Sequence, residues 1–157
     1  MRAALDGGGN MYIAESGFVR KLNASGKAFV YMKDIPAGVS SVAVDSQGNA
    51  YAAGRTSTDA QDSSNHSNNR AYVAKIRSDG SAFTFETSLN GTILNPFDPG
   101  VGSGSTVGTA IAVAPSGAVY VGGYSESFNF PTTNGSTRSR STPASTQDAI
   151  LFIIQPD

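Results

Sequence analysis

The chain has 157 residues, a formal net charge of −1 and only 15% charged residues. That is the length of one domain with no basic face, which argues against nucleic acid and anionic membrane as partners. The absence of cysteine removes disulfides, thiol nucleophiles and thiolate metal sites. The opening MRAALDGGGN has no apolar core of a signal peptide, and no stretch is long and apolar enough to read as a membrane span.

Glycine numbers 18, and serine, threonine and asparagine fill the stretches between apolar runs, a pattern of short strands and turns in which no helix announces itself. In chain order, AALDGGGNMYIA (3–14) predicts a first hairpin and FVRKLNASGKAFVY (18–31) a second. VAVDSQGNAYAAG (42–54) repeats the first phrase, and YVAKIRSDGSAFTF (72–85) repeats the second. IAVAPSGAVYVGG (111–123) is a third copy of the first phrase, and ILFIIQPD (150–157) is the opening half of a third copy of the second. Self-similarity at this period marks a repeat architecture. Each unit reads as four strands: an apolar first, a second bearing Tyr12, Tyr51 or Tyr120, a third ending in Leu22, Ile76 or Ile154, and a fourth beginning near Phe29 or Phe83. The first-strand copies, AIAVA at 110–114 above all, are nearly continuous in small apolar residues, as expected of a strand covered on both faces.

The spacing divides the connections into two kinds. Leu5 to Tyr12, Val44 to Tyr51, Val113 to Tyr120, Leu22 to Phe29 and Ile76 to Phe83 are all seven positions apart. From the second strand to the third the distance grows from 10 (Tyr12 to Leu22) to 25 (Tyr51 to Ile76) to 34 (Tyr120 to Ile154). Successive connections of an up-and-down sheet alternate between its ends, so the constant turns are expected at one end and the variable loops at the other.

Four-strand units with a glycine turn in each hairpin are the signature of a β-propeller. ALDGGGNMYIAESGFVRKLNASG resembles an NHL-type propeller repeat, and VAVDSQGNAYAAG, FNFPTTNG (128–135) and YVAKIRSDGSAF resemble the bacterial SBBP β-propeller repeat. The resemblance implies an all-β fold of four-stranded antiparallel blades, with blade 1 at about 1–38, blade 2 at about 39–106 and an incomplete blade 3 at about 107–157. It also implies a ring of about six to eight blades and an extracellular or cell-surface setting in bacteria. Two full blades and three strands of a third do not close a ring alone, so self-association or the remainder of a larger propeller is expected to cover the last strand.

Asp6, Asp45 and Asp79, with Asn10, Asn49, Gly48 and Gly80, do not follow the spacing of a calcium hand and read as turn caps. His66 is the single histidine, in the polar loop TSTDAQDSSNHSNNR with Asp59 and Asp62 before it. Such a trio could hold a metal or supply a general base, but a loop this rich in serine and asparagine reads as solvated, and no metal or cofactor is assigned. Arg138 and Arg140, in NGSTRSRSTPASTQD, could meet a phosphate or carboxylate of a partner. These five residues are the candidates of the loop-rich face, and none is assigned a catalytic role. The recurrent tyrosines read as filling between blades rather than as a carbohydrate-stacking ring. The function expected is a non-catalytic binding or scaffold module that presents this face to a protein or glycan. The alternatives are part of a propeller enzyme, a lyase or hydrolase with its site at the channel mouth, and a structural element of a surface layer or filament.

Overall fold

The computed structural model describes residues 2–57, 69–91, 105–127, 130–131 and 147–155. Among them the chain is all β, with the strands β1 (Arg2–Leu5), β2 (Met11–Leu22), β3 (Phe29–Val44), β4 (Ala50–Ser57), β5 (Asn69–Ile76), β6 (Phe83–Leu89), β7 (Thr106–Val113), β8 (Val119–Ser125) and β9 (Asp148–Ile154). β1 to β6 form one six-stranded antiparallel sheet in chain order, and β7 to β9 a separate three-stranded one. No helix among the described residues is long and apolar enough to cross a membrane.

The seven-residue spacing covers two turns: the closing backbone bond spans four residues at 6–10, 45–49 and 114–118, and five at 23–28 and 77–82. Asp45 Oδ1 accepts the backbone N–H groups of Gln47 (3.0 Å) and Asn49 (2.9 Å), and its Oδ2 accepts the Asn49 side-chain amide at 2.9 Å. Asp6 holds Gly8 and Asn10 in the same way. The glycine before each turn closes has positive φ, 79° at Gly9 and Gly48 and 89° at Gly117, a conformation glycine adopts without penalty. In the third turn alanines replace Asp and Asn, yet Ala114 N–H still bonds Ala118 O (2.9 Å) and Gly117 N–H bonds Ala114 O (2.8 Å). Backbone geometry therefore suffices, and the carboxylate is an addition to it.

β2 is continuous in its extended conformation but not straight. Nine extended residues would separate Tyr12 from Lys21 by about 30 Å, whereas Lys21 Nζ lies 4.9 Å from the centre of the Tyr12 ring and 3.8 Å from Asp6. The strand doubles back at Ser16–Gly17, where Gly17 takes φ 86°. β1 pairs with its first arm (Ala4↔Tyr12) and β3 with its second (Lys21↔Tyr31). β3 then runs on past Ile35, Pro36 and Ala37 to pair with β4 (Val42↔Ala52). The first two repeats thus share one strand, where the spacing had suggested separate strands. The cause is the short passage from residue 34 to 38, whose proline sits where no ladder bond is required of it.

Three layers result, stacked face to face. The first comprises β1, both arms of β2 and the start of β3. The second comprises the rest of β3 with β4, β5 and β6. The third is β7 to β9. Strand alternation sends Tyr12, Ala14 and Val19 of the first layer into one core with Val42, Ala50, Ala52, Tyr72, Ala74 and Ile76 of the second. The opposite face of the second layer sends Tyr51, Ala53 and Val73 into another core with Val119 and Val121 of the third. Among the described residues only the middle layer is covered on both sides, which explains why five consecutive residues of β4 (50–54) and four of β5 (71–74) are buried. The first strand of the third copy departs from its expected two-sided burial. Ala110 and Ala112 of β7 are exposed, because they face away from the second layer.

Candidate binding groove

At the turn end, each of the first two layers carries an Asp–Tyr–Lys cluster. Tyr12 donates its hydroxyl to Asp6 Oδ2 (3.1 Å) and approaches Gly48 O of the second layer (2.8 Å), while Lys21 Nζ donates to Ser78 O at 3.2 Å. Tyr51 donates to Asp45 Oδ2 (3.0 Å), and Lys75 stands 3.7 Å from that carboxylate and 5.1 Å from the tyrosine ring. The hydrogen bond from the Asn10 side chain, helped by the Asn10 and Gly8 backbone and by Tyr12, holds Asp6 below the usual carboxylate range against desolvation. Burial pushes Asp45 up, but the bonds from Asn49, Tyr51 and Gln47 outweigh it and its pKa is also lowered.

The folded carboxyls are therefore more acidic than unfolded ones. The stability they contribute is complete above their ordinary value of 3.8 and is lost as pH falls through the lower folded values. The double variant Asn10→Ala, Asn49→Ala should be less stable near neutrality and lose less on acidification below pH 3.8. Denaturant titrations at several pH values measure this, and parallel stability curves for the two proteins would count against it.

Between the second and third layers the same end opens into a cleft of about 340 Å³, lined by Asp45, Gln47, Tyr51, Lys75 and the turn at 114–117. Its two charges face each other, so it offers a ligand little that is not already satisfied.

The opposite end is built differently. Thr106, Ser125 and Ser127 are buried there. Thr106 Oγ1 lies 2.7 Å from Asn90 Oδ1 and 2.9 Å from Ser125 Oγ, and Ser127 Oγ lies 2.9 Å from Asn90 Oδ1. Asn69 Nδ2 donates to Ser105 Oγ at 3.1 Å. Hydroxyls and amides thus join the neighbouring ends of β5, β6, β7 and β8.

Beside this network run two adjoining clefts that share Gly38 and Arg55. One, of about 350 Å³, is lined by Ser16, Val39, Ser40, Val107, Thr109 and Tyr124. The other, of about 410 Å³, is lined by Pro36, Ala37, Thr56, Ser57 and Asn69. Counting four positions on from each repeated tyrosine gives Ser16, Arg55 and Tyr124, so one repeat position from each of the three layers converges on this groove. Ser40 and Thr109 arrive there through equivalent β-bulges, between Val39 and Ser41 and between Gly108 and Ala110, which re-aim the residue that is out of register. Arg55 is exposed, and among the described residues no carboxylate forms an ion pair with it.

His66, Asp59, Asp62, Arg138 and Arg140 lie outside the described residues. The carboxylates of Asp6 and Asp45 cap turns, as their spacing suggests. No protein-family model matches the chain, and no curated protein matches it. Sequence reasoning missed Arg55 and Tyr124. The available signal was the disagreement among copies: alanine recurs two positions after Tyr12 and Tyr51, and glycine follows at 54 and 123, whereas the next position holds Ser, Arg and Tyr in turn. In a repeat protein, agreement among copies marks the scaffold and disagreement on one face marks what the scaffold presents.

Proposed function

We propose that the chain is a run of β-propeller blades of the NHL or SBBP type, serving as a non-catalytic binding module outside the cell or at its surface. Its ligand is an acidic glycan, held in the groove around Arg55. The observation that carries this reading is the convergence of Ser16, Arg55 and Tyr124 from three layers, with no carboxylate among the described residues paired to the arginine. A guanidinium presents a planar fork to a carboxylate, a tyrosine offers an apolar ring with a polar tip, and Ser40, Thr56, Ser57 and Thr109 supply hydroxyls for the remaining positions of a sugar.

Calorimetric titration with uronic-acid oligosaccharides and their neutral counterparts tests the proposal. The uronates should bind more tightly than the neutral sugars, and Arg55→Ala should weaken them by roughly tenfold to a hundredfold, the range of a charge-assisted hydrogen bond of about 1.5–3 kcal/mol. Equal binding of acidic and neutral sugars, or affinity unchanged by Arg55→Ala, would overturn it. Binding of an acidic protein segment in place of the uronates would move the module to a protein partner.

A further inference from the structure

We infer that the two outer faces of the three-layer stack are the two halves of one interface, through which a second copy of this chain docks head to tail. Among the described residues, every large apolar side chain that is exposed belongs to the first or third layer. Leu5 (63% exposed), Phe29 and Met32 lie on the first layer, and Tyr120 (39%), Leu151 (68%) and Ile153 on the third. Alternation, with the register shift between Lys21 and Leu22 that puts Phe29 on the same face as Met32, directs them away from the middle layer. The partners of Leu5 and Tyr120 in their ladders, Met11 and Ile153, point the same way.

The chain already contains this interface twice. Tyr12 is fully buried where the tyrosine face of the first layer meets the aliphatic face of the second, and Tyr51 is 2% exposed where the tyrosine face of the second meets the aliphatic face of the third. By the same registers, Leu5 and Met11 are the counterparts of Val44 and Ala50 and of Val113 and Val119. One tyrosine face is left over on the third layer and one aliphatic face on the first. They are of the two kinds that pack together inside the molecule, so a second copy continues the stack without any new kind of contact.

The third layer carries a second sign of burial. The positions held by Lys21 and Lys75 become Ile153, paired opposite Tyr120 as Lys75 is opposite Tyr51. The positions held by Asp6 and Asp45 become Ala114. A face meant for water would keep its charges, and this one has exchanged both for apolar side chains, as interface cores do. The contact is heterologous, so copies close into a ring or extend as a filament.

Size exclusion with light scattering across a concentration series is the first test. The wild-type chain should exceed the 16.1 kDa of one copy. Leu151→Glu with Ile153→Glu should give monomers, and so should Leu5→Glu with Met32→Glu. An equimolar mixture of these two variants should recover a species of twice the monomer mass, because each keeps the face that the other has lost. Wild type that stays monomeric throughout, or variants that are monomeric apart and do not combine, overturns the proposal. A second measurement does not depend on charged substitutions. The chain has no cysteine of its own, so Leu5→Cys and Leu151→Cys chains mixed with a short bis-maleimide should yield the mixed dimer in excess of either homodimer. Homodimers in equal or greater yield would mean that like faces meet, which is also fatal to it.

Discussion

Gly54→Ala should destabilise the chain by about 3 kcal/mol, the upper part of the range for overpacking a tight site, and lower the melting temperature by roughly 10 °C for a chain of this size. A Cβ at Gly54 would be driven into the carbonyl of Gly38, and a Cβ at Gly123 into that of Val107. Both obstacles are backbone, so no rotamer change relieves them. The clash has one origin in both layers: each glycine lies opposite a β-bulge, paired with Val39 or Gly108 just before the register shifts. The displaced strand brings its carbonyl into the space a side chain would use. Gly7→Ala is the control, since a Cβ there meets nothing within 4 Å. Thermal melts followed by far-ultraviolet circular dichroism measure the set, and equal melting temperatures for Gly54→Ala and Gly7→Ala would refute the close-approach account.

Tyr12→Ala should be of the same order or larger, about 3–5 kcal/mol for a deleted core aromatic. Tyr12 is fully buried, stands edge-on to Tyr31 at 6.5 Å and reaches both Asp6 and Gly48. Tyr12→Phe keeps the ring and loses the hydroxyl, so about 1 kcal/mol is expected, the net value of a typical hydrogen bond. The difference separates packing between layers from the polar latch above it. Tyr120→Ala in the monomeric Leu5→Glu, Met32→Glu background should change stability by less than Tyr12→Ala, since 39% of Tyr120 is exposed in a single copy. Denaturant titration gives all three values, and a Tyr120→Ala loss equal to that of Tyr12→Ala would contradict the burial gradient across the layers.

The hairpins were legible because their determinants are local. An Asp, a Gly and an Asn at fixed offsets specify a turn through bonds within five residues, and the structure shows those bonds at Asp6 and Asp45. The burial of Tyr12 and Tyr51 was legible for a related reason, since period-two alternation already places them on an apolar face. The merging of two repeats through β3 was not, because the passage at residues 35–37 reads as a loop in one dimension and its extended course is set by pairing on both sides. Nor was the exposure of Ala112 and Tyr120, which follows from the number of layers and not from any property of the strand. The groove was the hardest to read. Arg55 looks like the polar end of a strand until Ser16 and Tyr124, 39 positions before and 69 positions after it, are seen to share its cleft. The sequence candidates, by contrast, were chosen for titratable chemistry within single loops, a criterion blind to convergence between repeats.

The way β3 is shared has a consequence for how the stack comes apart. Layers one and two are joined by a strand that belongs to both, in a sheet whose hydrogen-bond ladder is continuous from β1 to β6. Layer three has no strand in common with them and rests on side-chain packing and the polar cluster at Asn90 and Thr106. In a one-dimensional array each unit borrows stability from its neighbours, so the two junctions need not open together. The first can separate only by breaking main-chain pairing around residue 38, whereas the second can part along a plane of apolar side chains. Amide exchange would accordingly run fastest through β7 to β9 and slowest through β4 and β5, and an early unfolding intermediate would retain the six-stranded sheet with the third layer released.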